Sequence, residues 1–128
     1  PRLDPDVVKA LIASESGFDV NPKRNKTAFG IAQITKQTLK VLKDPKGETK
    51  DFIFTDVTQK DLLNPSIVIP MSIRWLFRKK RLADGKLGRS ATDEEIILEY
   101  KGTLKSKSEY KNKSLLSFRR YYEALKNK

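Results

Sequence analysis

Residues 64 to 77 read "NPSIVIPMSIRWLF" and constrain the fold more than any other stretch. Asn64 before Pro65 is a helix start: an N-cap side chain, then a residue whose fixed φ and missing N–H suit the first helical position. Beyond it Ile67, Ile69, Ile73, Trp75, Leu76 and Phe77 place apolar side chains nearly all round the cylinder. A helix that is apolar on every side has to be buried on every side. The spacing predicts a central buried helix from Asn64 to about Leu82, bent locally at Pro70 where a backbone donor is lost. The basic run "RKKRLADGKLGR" then reads as an exit loop, a solvated end that would also suit an anionic polymer.

Such a helix needs amphipathic neighbours, and four segments supply them. Residues 4 to 16 open with Asp4 as N-cap, Pro5 at the first position and Asp6 facing the positive dipole end. Val7, Val8, Leu11 and Ile12 then form one apolar stripe. Gly17 fits a left-handed C-cap, with Phe18 expected to pack back on the helix. Residues 35 to 43, "TKQTLKVLK", form a short helix. In "TDEEIILEYKG", Thr92 and Glu95 make a capping box, Ile96, Ile97 and Tyr100 face inward, and Gly102 closes the helix. After the polar stretch "TLKSKSEYKNK", a last helix over 114 to 126 carries Leu115, Phe118, Tyr122 and Leu125 on one face. Turn residues Asp44, Pro45 and Gly47 mark a loop, and "FIF" within it predicts a small β element near residues 50–57. The reading is a mainly α, single-domain chain over residues 1–128, and its length allows a substantial core.

Composition narrows the chemistry. The chain contains no His and no Cys. Ser-His-Asp triads, cysteine nucleophiles, disulfides and ordinary zinc sites are thereby excluded, and no metal or cofactor is expected. Acid–base work falls to Asp, Glu, Lys or Tyr. A net charge of +11, from 27 Lys+Arg against 16 Asp+Glu, points to a polyanionic partner: nucleic acid, an anionic membrane or an acidic cell-wall polymer. No DNA-binding motif accompanies the charge, so nucleic acid is not expected. No apolar run approaches the roughly 20 residues of a transmembrane helix. A chain opening on Pro1 without Met reads as a processed or excised piece, which leaves open whether an export signal preceded it.

Against this background Glu15 stands out. It lies four residues after Leu11 and three after Ile12, beside the apolar stripe and in the last turn of its helix, where the dipole favours cations over anions. Three further stretches follow "ALIASESGF" in order: "AFGIAQIT", "LNPSIVIPMSIRWL" and "LEYKG". Together they resemble the lytic transglycosylase domains of the soluble-lytic-transglycosylase and goose-type lysozyme group. Those domains carry a Glu-Ser pair ending a helix, a Gly-x-x-Gln segment, a helix opening on Asn-Pro and a Tyr-Asn-x-Gly segment. The likeness runs over about residues 5 to 102.

The resemblance implies a lysozyme-like fold and cleavage of peptidoglycan at the β-1,4 bond between N-acetylmuramic acid (MurNAc) and N-acetylglucosamine (GlcNAc). It makes Glu15 the catalytic acid, Ser16 its polar neighbour, and Gly30 and Gln33 the Gly-x-x-Gln pair whose Gln contacts the glycan. Tyr100 takes the position of the family tyrosine beside the catalytic Glu, and Tyr110 that of a later groove tyrosine. Three positions depart from the pattern: Lys101 stands where the family has Asn, Val68 replaces the Asn of the Asn-Pro helix, and Ser72 replaces its Gly. Lys101 brings a cation to a substrate-binding position.

The residue types suit the chemistry. Breaking a glycosidic bond needs a proton on the leaving oxygen, hence a protonated carboxyl, and an apolar flank favours the neutral form. In the resembled family one Glu serves first as acid and then as base, giving 1,6-anhydro-MurNAc ends. Asp51 and Asp56, flanking "FIF", are the candidates for a second carboxylate, which would make the chain a goose-type hydrolytic muramidase. A peptidoglycan-binding module with impaired catalysis, in a secretion system or phage tail, is the other alternative. The expected partner is the peptidoglycan strand, and the expected setting the cell envelope (periplasm or outside) or a phage product acting on the wall, with the chain a monomer.

Overall fold

The computed structural model describes residues 3–22, 27–44 and 54–127. By contact density the chain divides into two compact units, Glu15–Trp75 and, discontinuous in sequence, Pro1–Ser14 with Leu76–Lys128. Helices dominate and the strands are two residues each, as the mainly α reading expects. Helix α1 (Pro5–Ser16) begins in the discontinuous unit. The Asp4 side chain accepts the Asp6 N–H at 2.9 Å and caps it, while Val7, Ala10 and Leu11 are fully buried.

In the Glu15–Trp75 unit, β1 (Ala28–Phe29) pairs antiparallel with β2 (Ile34–Thr35), Ala28 opposite Thr35 and Phe29 opposite Ile34. Thr35 then caps α2 (Lys36–Lys43), its hydroxyl accepting the Thr38 N–H at 3.1 Å. Leu39 and Leu42 of α2 are buried, with Ile31, Ala32, Ile34 and Leu62. A short 3-10 helix, Lys60–Leu63, leads into α3 (Pro65–Leu87). Val68, Met71 and Ser72 of α3 are fully buried and Trp75 nearly so, which makes Trp75 a core residue.

Both departures in α3 thus lie in the core. Val68 fills space there, and the Ser72 hydroxyl folds back on its own helix, donating to the carbonyls of Val68 (3.0 Å) and Ile69 (2.9 Å). A buried hydroxyl with its own helix as acceptor leaves no orphaned polar group.

In the other unit, α3 continues to Leu87, five residues past the expected end, so much of the basic run is helical rather than loop. Lys80 bonds Asp84 one turn on (2.8 Å), and Gly88, at φ 68°, ends the helix. Helix α4 (Asp93–Tyr100) opens on the predicted capping box, Thr92 Oγ1 accepting from Glu95 N and Glu95 Oε1 accepting from Thr92 N. Ile96, Ile97, Leu98 and Glu99 are buried, and Gly102 ends the helix at φ 75°.

Helix α5 (Ser108–Lys126) starts six residues before the expected Ser114. The polar stretch hid this because Lys111, half-buried, occupies the face position one turn before Leu115, where a Lys stem covers apolar surface as a Leu would. Leu115 and Phe118 are buried where α5 packs on α4, and Arg119 forks onto Glu94 at 2.6 and 2.9 Å. At its far end Tyr122 and Lys126 bond Asp4, closing the unit from its last helix to its first.

The small β element expected near residues 50–57 falls mainly outside the described residues, and Phe54, Thr55 and Asp56 form a turn. The two strands among the described residues lie on either side of the Gly30–Gln33 segment. Two residues are too few for an alternating pattern to register in sequence.

Candidate active site

Glu15 is half-buried and is the last residue but one of α1, with buried Ser16 ending the helix. The chain then turns sharply: Gly17 takes φ 61° and Phe18 φ 66°. The Ser16 side chain braces this turn, its hydroxyl oxygen accepting the Phe18 N–H at 3.2 Å, while its carbonyl accepts from Asp19 at 3.1 Å. Gly17 is the predicted left-handed cap. Phe18, however, does not pack back on the helix: it is 56% exposed. Two successive left-handed residues swing its ring outward, and a bulky residue at positive φ is a strained one. An exposed, strained aromatic three residues after Glu15 is a feature of this turn that sequence spacing did not reveal.

The Gly30–Gln33 segment is built by a chain of local constraints. Thr58 and Asp61 cap each other, the Asp61 carboxylate accepting from Thr58 N at 2.8 Å. That hydrogen bond, with the Thr58 hydroxyl second, holds the Asp61 carboxyl below its usual range. These bonds brace the start of the 3-10 helix, which presents the Leu62 carbonyl to Gly30. A Cβ at Gly30 would sit 1.9 Å from that oxygen, and Gly30 takes φ 74°, so glycine is required twice over.

From Gly30 the turn closes on Gln33, whose backbone N–H and side-chain Nε2 both donate to the Gly30 carbonyl, at 3.2 and 3.0 Å. Gln33 itself takes φ 53°, a left-handed conformation that costs a non-glycine residue about 1–2 kcal/mol. Strain of this kind persists only where the surrounding structure over-determines it, here through the Gly30 carbonyl that takes both Gln33 donors. An amide pinned by one N–H keeps a second N–H and a carbonyl with which to address a ligand.

In the discontinuous unit, Tyr100 is the last residue of α4 and Lys101 its C-cap. The Lys101 ammonium donates to the Ser14 hydroxyl at 3.3 Å, and that hydroxyl donates to the Leu11 carbonyl at 2.7 Å. Helix α1 has no basic residue of its own in its last turn, so Lys101 supplies from α4 the cation that the helix dipole favours there. Glu99 is buried and paired with Lys86 at 2.6 Å. Tyr110 lies in the first turn of α5, 55% exposed. Asp56 is exposed on its turn, and Asp51 lies outside the described residues. Among the described residues no cluster of acids fit to hold a metal ion occurs, and no helix is long and apolar enough to cross a membrane.

Comparison with curated proteins and with solved structures gave no match. The family model described as "Transglycosylase SLT domain" matches residues 1–92. The match takes in Glu15, Ser16, Gly30, Gln33 and the opening of α3, and leaves Tyr100, Lys101 and Tyr110 beyond its end. Covering well over half of the chain, it shows that the protein belongs to the transglycosylase SLT family, the catalytic domains of lytic transglycosylases that act on peptidoglycan.

Proposed function

We propose that this domain cleaves the β-1,4 bond between MurNAc and GlcNAc by lytic transglycosylation, with Glu15 as its one acid–base residue. In the first step the protonated Glu15 carboxyl gives its proton to the glycosidic oxygen. The C1–O bond breaks, GlcNAc leaves with a free 4-hydroxyl, and positive charge develops at C1 of MurNAc. In the second step the Glu15 carboxylate takes the proton of the MurNAc C6 hydroxyl, whose oxygen bonds C1 and closes the 1,6-anhydro ring. No water is consumed, and Glu15 is returned protonated.

Gln33 contacts the glycan through its amide, with Gly30 and Ser16 fixing the backbone around the site, while Tyr100 and Lys101 bind substrate. The observation that carries this reading is the coincidence of Glu15 and the strained Gly30–Gln33 turn with two of the three motifs that the family match spans. The +11 charge suits a polymer bearing stem-peptide carboxylates. The protein acts as a monomer in the cell envelope, or on the wall from a phage.

Digestion of purified sacculi with mass spectrometry of the products tests the chemistry. Anhydro-muramic ends are expected, and products carrying only reducing ends would reject transglycosylation in favour of hydrolysis with a second carboxylate such as Asp56. Glu15→Gln is expected to abolish turnover while the far-UV circular dichroism stays unchanged. A fully active variant would overturn the assignment of Glu15.

A further inference from the structure

Helix α5 lies wholly beyond the residues that the family match covers, and it is amphipathic in an unusual sense. Its packed side is accounted for: Leu115 and Phe118 are buried, Arg119 pairs with Glu94, and Lys126 pairs with Asp4 and Asp6. Its outer side is not simply polar. Of the five large apolar residues exposed among the described residues, three lie on α5: Tyr110 (55%), Leu116 (71%) and Tyr121 (38%).

At 100° per residue, Tyr110, Ser117 and Tyr121 fall within about 40° of one another, and Lys113, Arg120 and Leu116 continue the same outer face. Lys113 and Arg120 are exposed, and Leu116, Ser117 and Arg120 line an open depression of about 370 Å³. The helix carries Lys111, Lys113, Arg119, Arg120 and Lys126 against Glu109 and Glu123, and Lys105 and Lys107 stand exposed just before it.

We propose that this face is a second contact surface for anionic peptidoglycan, holding the domain on insoluble wall independently of the bond being cut. The proposal rests on the functional reading above and extends it to a part of the chain outside the family match. Tyr121 offers a flat, amphipathic ring to the C–H faces of sugars, and Lys113 and Arg120 meet the carboxylates of the stem peptides, while Tyr110 on the same helix stays with the groove position that the resemblance gives it. The composition favours a polymer of sugars and carboxylates over a lipid surface. A helix that enters a bilayer interface presents a broad apolar face, and here Leu116 is the one large aliphatic side chain on the outer face.

The test uses the full chain in a Glu15→Gln background, so that binding is read without turnover. Co-sedimentation with purified sacculi is measured across a salt series for the parent, for Lys113→Glu with Arg120→Glu, and for Leu116→Ser with Tyr121→Ser. Each pair is expected to weaken retention about tenfold, as truncating an Arg or Tyr that the bound partner covers does at protein interfaces. The charge-reversed pair is also expected to flatten the salt dependence. Thermal melts matching the parent confirm that α5 still folds. Retention unchanged in both pairs would overturn the proposal, as would a parent that sediments with phosphatidylglycerol vesicles and not with sacculi. A failure of the lytic reading would appear in the sacculus digestion products of the unmutated protein and would leave this binding readout in place.

Discussion

Gly30 packs so closely on the carbonyl of Leu62 that a Cβ there would lie 1.9 Å from the oxygen. Backbone meets backbone at this point, so no side-chain rotation can relieve the overlap. Gly30→Ala is expected to destabilise the protein by on the order of 3–5 kcal/mol, since the positive φ and the clash both oppose it. Urea denaturation gives the measurement. A loss under about 1 kcal/mol would mean that the 3-10 helix yields easily and that Gly30 does not anchor the turn.

Gln33 separates strain from function. It holds φ 53° and bonds its own turn through Nε2. Gln33→Gly removes the left-handed penalty of about 1–2 kcal/mol but adds freedom to the unfolded chain, so the net stability change is expected to stay within about 1 kcal/mol. Turnover of sacculi should nevertheless fall at least tenfold, because the amide is gone. Gln33→Ala keeps the strain and loses the amide, so it should be the less stable of the two and equally slow. Normal turnover in Gln33→Gly would remove Gln33 from the site.

Phe18 poses a related question three residues beyond Glu15. At φ 66° and more than half exposed, its ring contributes little burial to offset the strain. Phe18→Gly is expected to leave the melting temperature within a few degrees of the parent, while Phe18→Val, β-branched and hence worse at positive φ, lowers it clearly. A ring kept for stability would give the opposite order, with Phe18→Gly the more damaging.

These positions show where the sequence could be read and where it could not. Helices α1, α2 and α4 were legible because local signals agree with tertiary need: Asp4, Thr35 and Thr92 cap, Gly17 and Gly102 stop, and the apolar stripes have helical period. The start of α5 was hidden because Lys111 stands at a covered position without being apolar. Glu15 and the Gly30-x-x-Gln33 pair were legible as motifs, but the reason for Gly30 was not. Its contact is with Leu62, 32 residues away, through a carbonyl that every residue possesses. The outward turn of Phe18 is likewise a property of two successive φ angles, which no spacing encodes.

The capping box of α4 should appear as a pH dependence. The Glu95 carboxyl is drawn from 4.5 down to about 2, chiefly by the forked hydrogen bond from Arg89 and next by the Thr92 N–H. For an acid with a depressed folded pKa, the stabilisation is fully present above its unfolded value and is lost as pH falls through the folded one. Urea midpoints should therefore decline between about pH 4.5 and pH 2, and Arg89→Gln should flatten that decline by removing the largest cause. A decline identical in Arg89→Gln would assign the acid sensitivity to other carboxylates.

The Lys86–Glu99 pair gives the sharpest stability test, because its partners are unequally buried. The Glu99 side chain is 6% exposed and the Lys86 side chain 45% exposed, with 2.6 Å between Nζ and Oε1. Removing the cation leaves a carboxylate in the core, and removing the carboxylate leaves an ammonium that can turn to water. The two truncations should therefore differ. Lys79, which also feels the Glu99 charge, lies close enough to soften the first loss. Lys86→Met is expected to cost about 2–3 kcal/mol, somewhat less than the loss of a partner from a fully buried pair. Glu99→Met should cost less, and in the double variant the Lys86→Met cost should largely vanish, since no buried charge then remains to be compensated. A double-mutant cycle in urea measures the coupling directly. A coupling energy near zero would mean that Lys79 alone balances Glu99 and that the short Lys86 contact adds nothing to the fold.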